Sequence, residues 1–261
     1  MLRDPVEVPL DILVTVLRWE GVDQPHAVLS TTAWWMGDDV RRAVERKALA
    51  ELAELGLTLD SGFRAAVAAL ARPTVEFYGW LSTAERVLGV FGVCAGAEAV
   101  VVVRDEDTVR LSPVHPDRLA EAVVARLPVV PAARGRSLNV PEAELIGGDR
   151  RRAGDDEGFA GFSPLVAPSA DASLFHALMA EPRTGASQFY VAVRDDLGRR
   201  RRVRSPVSCV DVAPGRATEG RWMTRTSATG AGVNWVFAAP ATEASLVAKL
   251  HEMHWALAGN R

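Results

Sequence analysis

Four segments with a period-two hydrophobic pattern follow one another in the first half of the chain, at residues 75–81, 86–93, 99–104 and 108–114. Alternation of this kind is typical of β-strands with a buried face. The connections between the segments are too short for the crossover that parallel neighbours need. The sequence therefore predicts an antiparallel sheet in this region.

Amphipathic helical patterns flank these strands. Apolar residues recur at helical spacing over Leu10–Trp19, residues 41–55, Ser61–Ala71 and residues 116–127. Later helices are predicted behind an Asp171 N-cap and from Thr242 onward, with strands at residues 188–194, 203–212, 221–227 and 233–239. This combination predicts an α+β fold in which an antiparallel β-sheet is flanked by α-helices.

Two local patterns occur twice along the chain. Residues 100–105 and 190–195 are similar strands that end in an Arg-Asp turn, and Pro113 and Pro240 each precede a helical leucine by six residues. We interpret the chain as one domain over residues 1–261, built from two pseudo-twofold-related halves at about 1–130 and 162–261. Residues 131–161, rich in proline, glycine and charge, are predicted to be a mobile connection. Chance similarity is the alternative for patterns this short.

The charge of the chain argues against nucleic acid as a partner. Thirty basic and thirty-three acidic residues give a net charge of −3, whereas a nucleic-acid-binding domain is usually basic. The four consecutive arginines at residues 199–202 are interpreted as an exposed edge strand whose charges prevent aggregation. An arginine-mediated nucleic-acid-binding module is kept as an alternative.

The sequence predicts a cytoplasmic protein without membrane insertion. The longest apolar run, residues 87–103, contains three glycines and Glu98 and is shorter than the ~20 residues of a spanning helix. Residues 1–7 hold acids and a proline where a signal peptide needs a basic and then an apolar stretch. Cys94 and Cys209 lie in apolar runs and are expected to be reduced, buried thiols.

No motif predicts catalysis. Glycine-rich phosphate loops are absent from the sequence, and residues 161–164 lack the closing glycine of a nucleophile elbow. His251 and His254 are three residues apart, without a third ligand nearby, and are interpreted as surface histidines. We therefore predict no catalytic residue, cofactor or metal site. A small-molecule-binding enzyme of unknown chemistry is kept as an alternative.

The ordered set of segments resembles the EspG family, the chaperones associated with ESX (type VII) secretion. The resemblance extends over about residues 6–257. It rests on the segments ARPTVEFYGWL from Ala71, AVVVVRDEDTVRLSPV from Ala99 with the following helix, RSLNVP from Arg136, QFYVAVRDDLGRRRRVRSPV from Gln188, and residues 235–250. It implies a non-enzymatic chaperone that binds the hydrophobic tip of a PE–PPE heterodimer and keeps this client soluble for its secretion machine. We predict a monomer or weak dimer.

One departure from the family pattern concerns the client. PPE binders of this family carry a long loop where residues 93–97 form a short connection here, which also admits a smaller WxG-type or LxG-type client. Burial of apolar surface on the client would supply the affinity. The predicted partner-binding residues are Phe91, Val93, Cys94, Gly96, Trp222, Met223 and Trp235.

Overall fold

The fold is taken from a computed structural model that describes residues 2–30, 37–58, 60–149, 168–228 and 233–259. The first half of the chain forms β1 (Val6–Pro9), α1 (Leu10–Trp19), α2 (Asp38–Glu54), α3 (Ser61–Ala71), β2 (Val75–Thr83), β3 (Val87–Ala95), β4 (Glu98–Asp105), β5 (Thr108–Pro113) and α4 (Leu119–Val124). The second half forms β6 (Leu138–Pro141), α5 (Glu142–Asp149), α6 (Ala170–Ala180), β7 (Arg183–Arg194), β8 (Arg200–Arg202), β9 (Val207–Val212), β10 (Gly220–Ala228), β11 (Asn234–Pro240) and α7 (Glu243–Ala258).

The chain divides into two compact units, each assembled from separate stretches of sequence. Unit 1 comprises Met1–Pro128, Ser187–Arg204 and Glu243–Arg261, and unit 2 comprises Val129–Ala186 and Ser205–Thr242. Strand β7 begins in unit 2 and continues in unit 1.

Unit 1 contains the antiparallel sheet that the sequence predicts. Its strand order is β1-β5-β4-β3-β2-β7, and β8 pairs with β7. Two-residue turns fix the registers of the central hairpins, since Ala95 pairs with Glu98 and Asp105 pairs with Thr108. Gly96 has a φ of 63° in the first of these turns, a conformation that glycine adopts without a steric cost.

Helices cover both faces of the unit 1 sheet. The period-two alternation of β2 places adjacent aromatic residues on opposite faces. Tyr78 joins the core formed with α1, α2 and α3, whereas the Phe77 ring lies 5.9 Å from the His254 ring of α7. Helix α4 packs on the same side as α7, where its Val123 lies over Gly92. Asp60 caps α3, as predicted, by accepting a hydrogen bond from the Phe63 amide at 2.6 Å.

Unit 2 has the strand order β7-β9-β10-β11-β6 and a smaller core of its own. The core includes an ion pair between cross-strand neighbours. Arg221 donates from Nε to Asp211 Oδ1 at 2.7 Å and from Nη2 to Oδ2 at 2.8 Å, and both side chains are buried. Paired hydrogen bonds of this kind compensate part of the cost of burying two charges.

Residues 138–149 form β6 and α5, although the sequence analysis treated them as part of a mobile connection. The strand is ordered because it pairs with β11 and buries Leu138 and Val140. Residues 150–161 lie outside the described residues. Helix α6 begins two residues earlier than predicted because Ser169, rather than Asp171, accepts the capping hydrogen bond from the Ala172 amide. The strand predicted at residues 203–212 starts only at Val207, after Pro206.

The strand order within the first half, β1-β5-β4-β3-β2, is the same as the order β6-β11-β10-β9-β7 within the second. In both halves a proline-ended strand precedes a helix, as the spacing from Pro113 and Pro240 indicated. The two Arg-Asp turns are not equivalent, however, because they follow β4 and β7, which hold different places in that order. The twofold relation between the halves stays a prediction.

Candidate functional site

The predicted partner-binding residues lie in different parts of the fold. Phe91, Val93, Cys94 and Gly96 belong to β3 and its turn in unit 1, and Trp222, Met223 and Trp235 belong to β10 and β11 in unit 2. The first four lie close together along one hairpin, between positions 91 and 96. The two tryptophans are apart, since Trp222 pairs with Pro240 at one end of the β10–β11 hairpin and Trp235 pairs with Ser227 toward the other.

Three of these residues are buried and cannot contact a partner in this conformation. Phe91 and Val93 belong to the unit 1 core. Trp222 packs over Gly135 and donates its indole N–H to the Thr218 carbonyl at 2.9 Å. The sequence pattern located these residues on strands but could not show that helices or loops cover the strand faces.

The other four predicted residues are partly or fully accessible. Gly96 is exposed at the β3–β4 turn, and Cys94, Met223 and Trp235 are half-buried. The Cys94 thiol donates to the Gly96 carbonyl, and burial, with a smaller contribution from Asp117, raises the pKa of this thiol. Cys94 is a free thiol, as the sequence predicted, but it is half-buried rather than buried, whereas Cys209 is buried as expected. That these four residues contact a partner stays a prediction.

A groove between α1, α2 and α3 is an apolar feature that the sequence analysis missed. It has a volume of about 310 Å³, and its rim includes Trp19, which is 44% exposed, and Leu49, which is 50% exposed. Leu49 lies beside the buried stripe of α2, at Ala48 and Leu52, so the helical pattern gave it no role. Leu55 was predicted to lie on that stripe but is exposed, because α2 ends at Glu54.

A charged pocket of about 440 Å³ lies in unit 1 at the β7–β8 hairpin. We call it the guanidinium pocket, after the three arginines that line it, Arg194, Arg200 and Arg202. Residues of alternating position on a strand share one face. Because Arg194 pairs with Arg200 across the hairpin, all three side chains start from the same face. The other polar or aromatic lining residues are Gln24, His26, Glu76, Tyr78, Trp80 and Phe91.

The centre of the guanidinium pocket is an ion pair between Glu76 and Arg200. The Glu76 side chain is 2% exposed and accepts from Arg200 Nε at 3.0 and 2.9 Å and from Nη2 at 2.6 Å. Burial alone lowers the pKa of the Arg200 guanidinium, but the hydrogen bonds with Glu76 and Tyr78 outweigh it and raise that pKa. The guanidinium also lies 5.5 Å from the centre of the Tyr78 ring.

His26 is held neutral beside this ion pair. Its ring stacks on Phe91 with centroids 4.1 Å apart, and its Nδ1 accepts from the Val28 amide at 3.3 Å. Burial, assisted by the positive charge of Arg200, lowers the pKa of His26 to about 3. A histidine of that pKa is a poor proton acceptor near neutral pH. His26 therefore caps the turn at Ala27–Leu29 rather than serving as a catalytic base.

The arginine run at residues 199–202 is largely engaged within the protein. Arg199 pairs with Asp195 at 2.8 Å, Arg200 pairs with Glu76, and the Arg202 guanidinium lies 5.4 Å from the Tyr190 ring centre. Residues 200–202 form β8, at the edge of the unit 1 sheet, in agreement with the edge-strand interpretation. A continuous phosphate-binding surface would need several guanidinium groups free to contact phosphates side by side. Two of these groups are paired with carboxylates instead.

The histidines of α7 pack against aromatic rings. The His251 ring stacks on Trp255, and its Nε2 lies 3.9 Å from Glu121. Burial and the neighbouring His251 lower the pKa of His254. Across the described residues, no three His, Cys, Asp or Glu side chains are close enough together to hold a metal ion. Among those same residues, no helix combines the length and apolar character that crossing a bilayer requires.

Comparisons with known proteins identify the fold and the family. A solved structure of the Mycobacterium tuberculosis type VII secretion system chaperone EspG5, in complex with a PE25–PPE41 dimer, matches with a TM-score of 0.63 and 18% identity over 96% of both chains. This likeness establishes the α+β fold. The family model described as EspG family matches residues 9–252. The chain belongs to the EspG family. No curated protein matches its sequence significantly.

Proposed function

We propose that the chain is a non-enzymatic, cytoplasmic chaperone of a type VII secretion system that binds a PE–PPE heterodimer. The observation that carries this proposal is the correspondence over 96% of both chains with EspG5, a chaperone solved in complex with a PE25–PPE41 dimer. Membership of the EspG family supports it independently of that structure.

Several of the residues predicted to bind a partner are accessible, which supports a role in protein binding. We propose two candidate contacts for the apolar tip of the client, each taken by itself: the β3–β4 turn around Gly96 in unit 1, and the accessible residues Met223 and Trp235 in unit 2. A contact of either kind binds by removing apolar area from water, at roughly 25 cal/mol per Å² before the costs of association. The covered client surface is then withheld from aggregation.

The enzymatic alternative finds little support in the titratable groups of the described residues. The guanidinium pocket contains a histidine with a strongly lowered pKa, but burial holds that histidine neutral and its Nδ1 is occupied by a backbone amide. The buried carboxylate beside it is bound bidentately by Arg200. His26 is therefore not poised to accept a substrate proton near neutral pH, and the Glu76 carboxylate is already engaged by Arg200.

Co-expression with PE–PPE pairs encoded in the same genome tests the proposal. A tag on the chain, followed by size-exclusion chromatography, is expected to recover one of these pairs in a complex with equal amounts of the three polypeptides. A WxG-type pair serves as the comparison. If the WxG-type pair is recovered and no PE–PPE pair is, the client is a WxG-type protein rather than a PE–PPE heterodimer. Failure of all pairs to bind the folded, soluble chain would contradict the chaperone proposal.

A further inference from the structure

The guanidinium pocket has more positive charge than its own residues neutralise. Arg194, Arg200 and Arg202 contribute three positive charges, and among the described residues of the lining Glu76 alone is acidic. His26 adds no positive charge near neutral pH because its pKa is lowered to about 3. Positive groups therefore outnumber the one carboxylate, which Arg194 and Arg200 share. An excess of positive charge in a concave, partly desolvated site attracts anions.

The guanidinium groups of Arg194 and Arg202 are held in place by the surrounding structure. Arg194 donates from Nη1 to the Gly198 carbonyl at 3.2 Å, while its Nη2 is 4.0 Å from Glu76. Its buried Nε has no hydrogen-bond partner among the described residues. Arg202 lies over Tyr190 and makes no ion pair with any residue that the structure describes. Guanidinium groups positioned in this way suit the planar oxygens of carboxylates and phosphates.

The remaining wall of the pocket is largely apolar, with both aliphatic and aromatic residues. Trp80 is half-buried, and its ring meets Tyr78 edge-on with centroids 6.1 Å apart. The volume of about 440 Å³ is within the range of small-molecule sites, which combine an apolar wall with a few oriented polar groups. A flat or otherwise apolar group next to the anion would therefore find a surface to contact.

We propose that the guanidinium pocket binds a small organic oxyanion, a carboxylate or a phosphate. Its charged end pairs with Arg194 and Arg202, and its apolar body lies against Trp80. The pocket is formed entirely by unit 1, and the inference does not depend on client binding. Nucleic acid is the less suitable ligand, because Arg199 and Arg200 are already paired with carboxylates.

Isothermal titration calorimetry of the full chain at low salt tests the proposal with four probes. Benzoate and phenyl phosphate carry an oxyanion on a ring, whereas acetate and inorganic phosphate lack the ring. We expect at least one ring-bearing anion to bind with a Kd of about 0.1–1 mM, and more tightly than its counterpart without a ring. Tighter binding of benzoate would then indicate a carboxylate site, and tighter binding of phenyl phosphate would indicate a phosphate site.

Two substitutions and a matched control locate the site. Arg202→Gln is expected to weaken binding about tenfold, because one charge-assisted contact is lost, while Arg202→Lys retains part of the affinity. Arg18→Gln removes the same charge from an exposed position on α1 outside the pocket and is expected to leave the Kd unchanged. Trp80→Leu should reduce the advantage of the ring-bearing probes. Circular dichroism of each variant confirms that it is folded.

Three results would overturn the proposal. One is the absence of saturable binding by either ring-bearing anion up to ~10 mM. Another is an equal loss of affinity in Arg18→Gln and Arg202→Gln, which would indicate nonspecific attraction. The third is binding of a short oligothymidylate by a chain that does not bind the small anions, which would assign the arginines to nucleic acid instead.

Discussion

Glu76 and Arg200 are 124 positions apart in the sequence, yet their side chains form a bidentate ion pair. The pair lies in the guanidinium pocket at the β7–β8 hairpin. The pair joins β2 to β8, two strands that are not hydrogen-bonded neighbours, since β8 pairs with β7. Breaking such a pair is costly when one charged group stays buried without its partner.

Arg200→Leu is expected to reduce the free energy of unfolding by about 3 kcal/mol, because the Glu76 carboxylate would remain almost fully buried. Replacing both residues, in Glu76→Leu with Arg200→Leu, should recover much of that loss. Urea denaturation followed by tryptophan fluorescence measures both effects. As a control, Arg199→Gln breaks a more exposed ion pair with Asp195 and should cost less than about 1 kcal/mol. A double variant as unstable as the single one would disprove this account.

Burial of neutral His26 predicts that stability falls as the solution becomes acidic. The pKa of His26 is about 3 in the folded chain, whereas the ordinary value of 6.5 applies in the unfolded chain. Between these values the unfolded chain binds a proton that the folded chain does not, so stability is lost as pH decreases through this window. The slope contributed by His26 is at most about 1.4 kcal/mol per pH unit.

Denaturation curves between pH 6.5 and 4.5 measure this slope. His26→Asn keeps a side-chain acceptor near the Val28 amide but cannot titrate, so it should flatten the pH dependence of the unfolding free energy. Some dependence should persist, because burial also lowers the pKa of His254. An equal slope in the wild type and His26→Asn would contradict the burial of a neutral ring.

Close packing at Gly79 predicts a large effect of a single methyl group. A Cβ at Gly79 would lie 1.9 Å from the backbone oxygen of Gln188, which cannot rotate away as a side chain could. Gly79→Ala should therefore lower the free energy of unfolding by ~3 kcal/mol or prevent folding. Gly37→Ala is the matched control, because no atom lies within 4 Å of its added Cβ. A melting temperature of Gly79→Ala close to that of the wild type would refute the packing described here.

The proposed client contact at the β3–β4 turn can be tested by adding a charge. Ala97 is exposed in this turn, and Ala97→Arg would place a guanidinium against the apolar surface of the client. We expect the Kd for the PE–PPE pair to increase about tenfold or more, because the charge loses hydration without gaining a partner. Biolayer interferometry with the purified pair measures the Kd.

Val87→Arg is the control for this experiment, because Val87 is 57% exposed and begins β3, at the opposite end of that strand from the β3–β4 turn. Its Kd should equal that of the wild type. If Ala97→Arg binds the client as well as this control, the turn is not a contact, and the proposed contacts at Met223 and Trp235 become the next to substitute.

Much of the fold was predictable because it depends on local patterns. Helix α1 has the predicted bounds, and the N-cap of α3 at Asp60 accepts the predicted hydrogen bond. The hairpins of β3, β4 and β5 follow from alternation and short turns. Strand β6 was missed because four residues with two buried side chains give a weak periodic signal, and its pairing with β11 involves residues nearly a hundred positions away.

The functional residues were less predictable for a related reason. Phe91 and Trp222 were expected to be accessible, yet each is covered by parts of the chain that alternation within a strand does not reveal. The guanidinium pocket was not predicted, although its arginine run was noticed. Consecutive arginines look alike in sequence, and only their positions on β8 decide that Arg200 meets Glu76 while Arg202 lies over Tyr190.

By itself, the sequence determined the α+β class, most helices and strands, and the resemblance to the EspG family, because these depend on local periodicity and on the order of segments along the chain. Only the tertiary structure decided which strand faces are covered, which charges are paired and where positive charge is left in excess. The physical reason is that burial and ion pairing depend on residues brought together from distant positions, and neither distance nor solvent access is encoded in any short stretch of sequence.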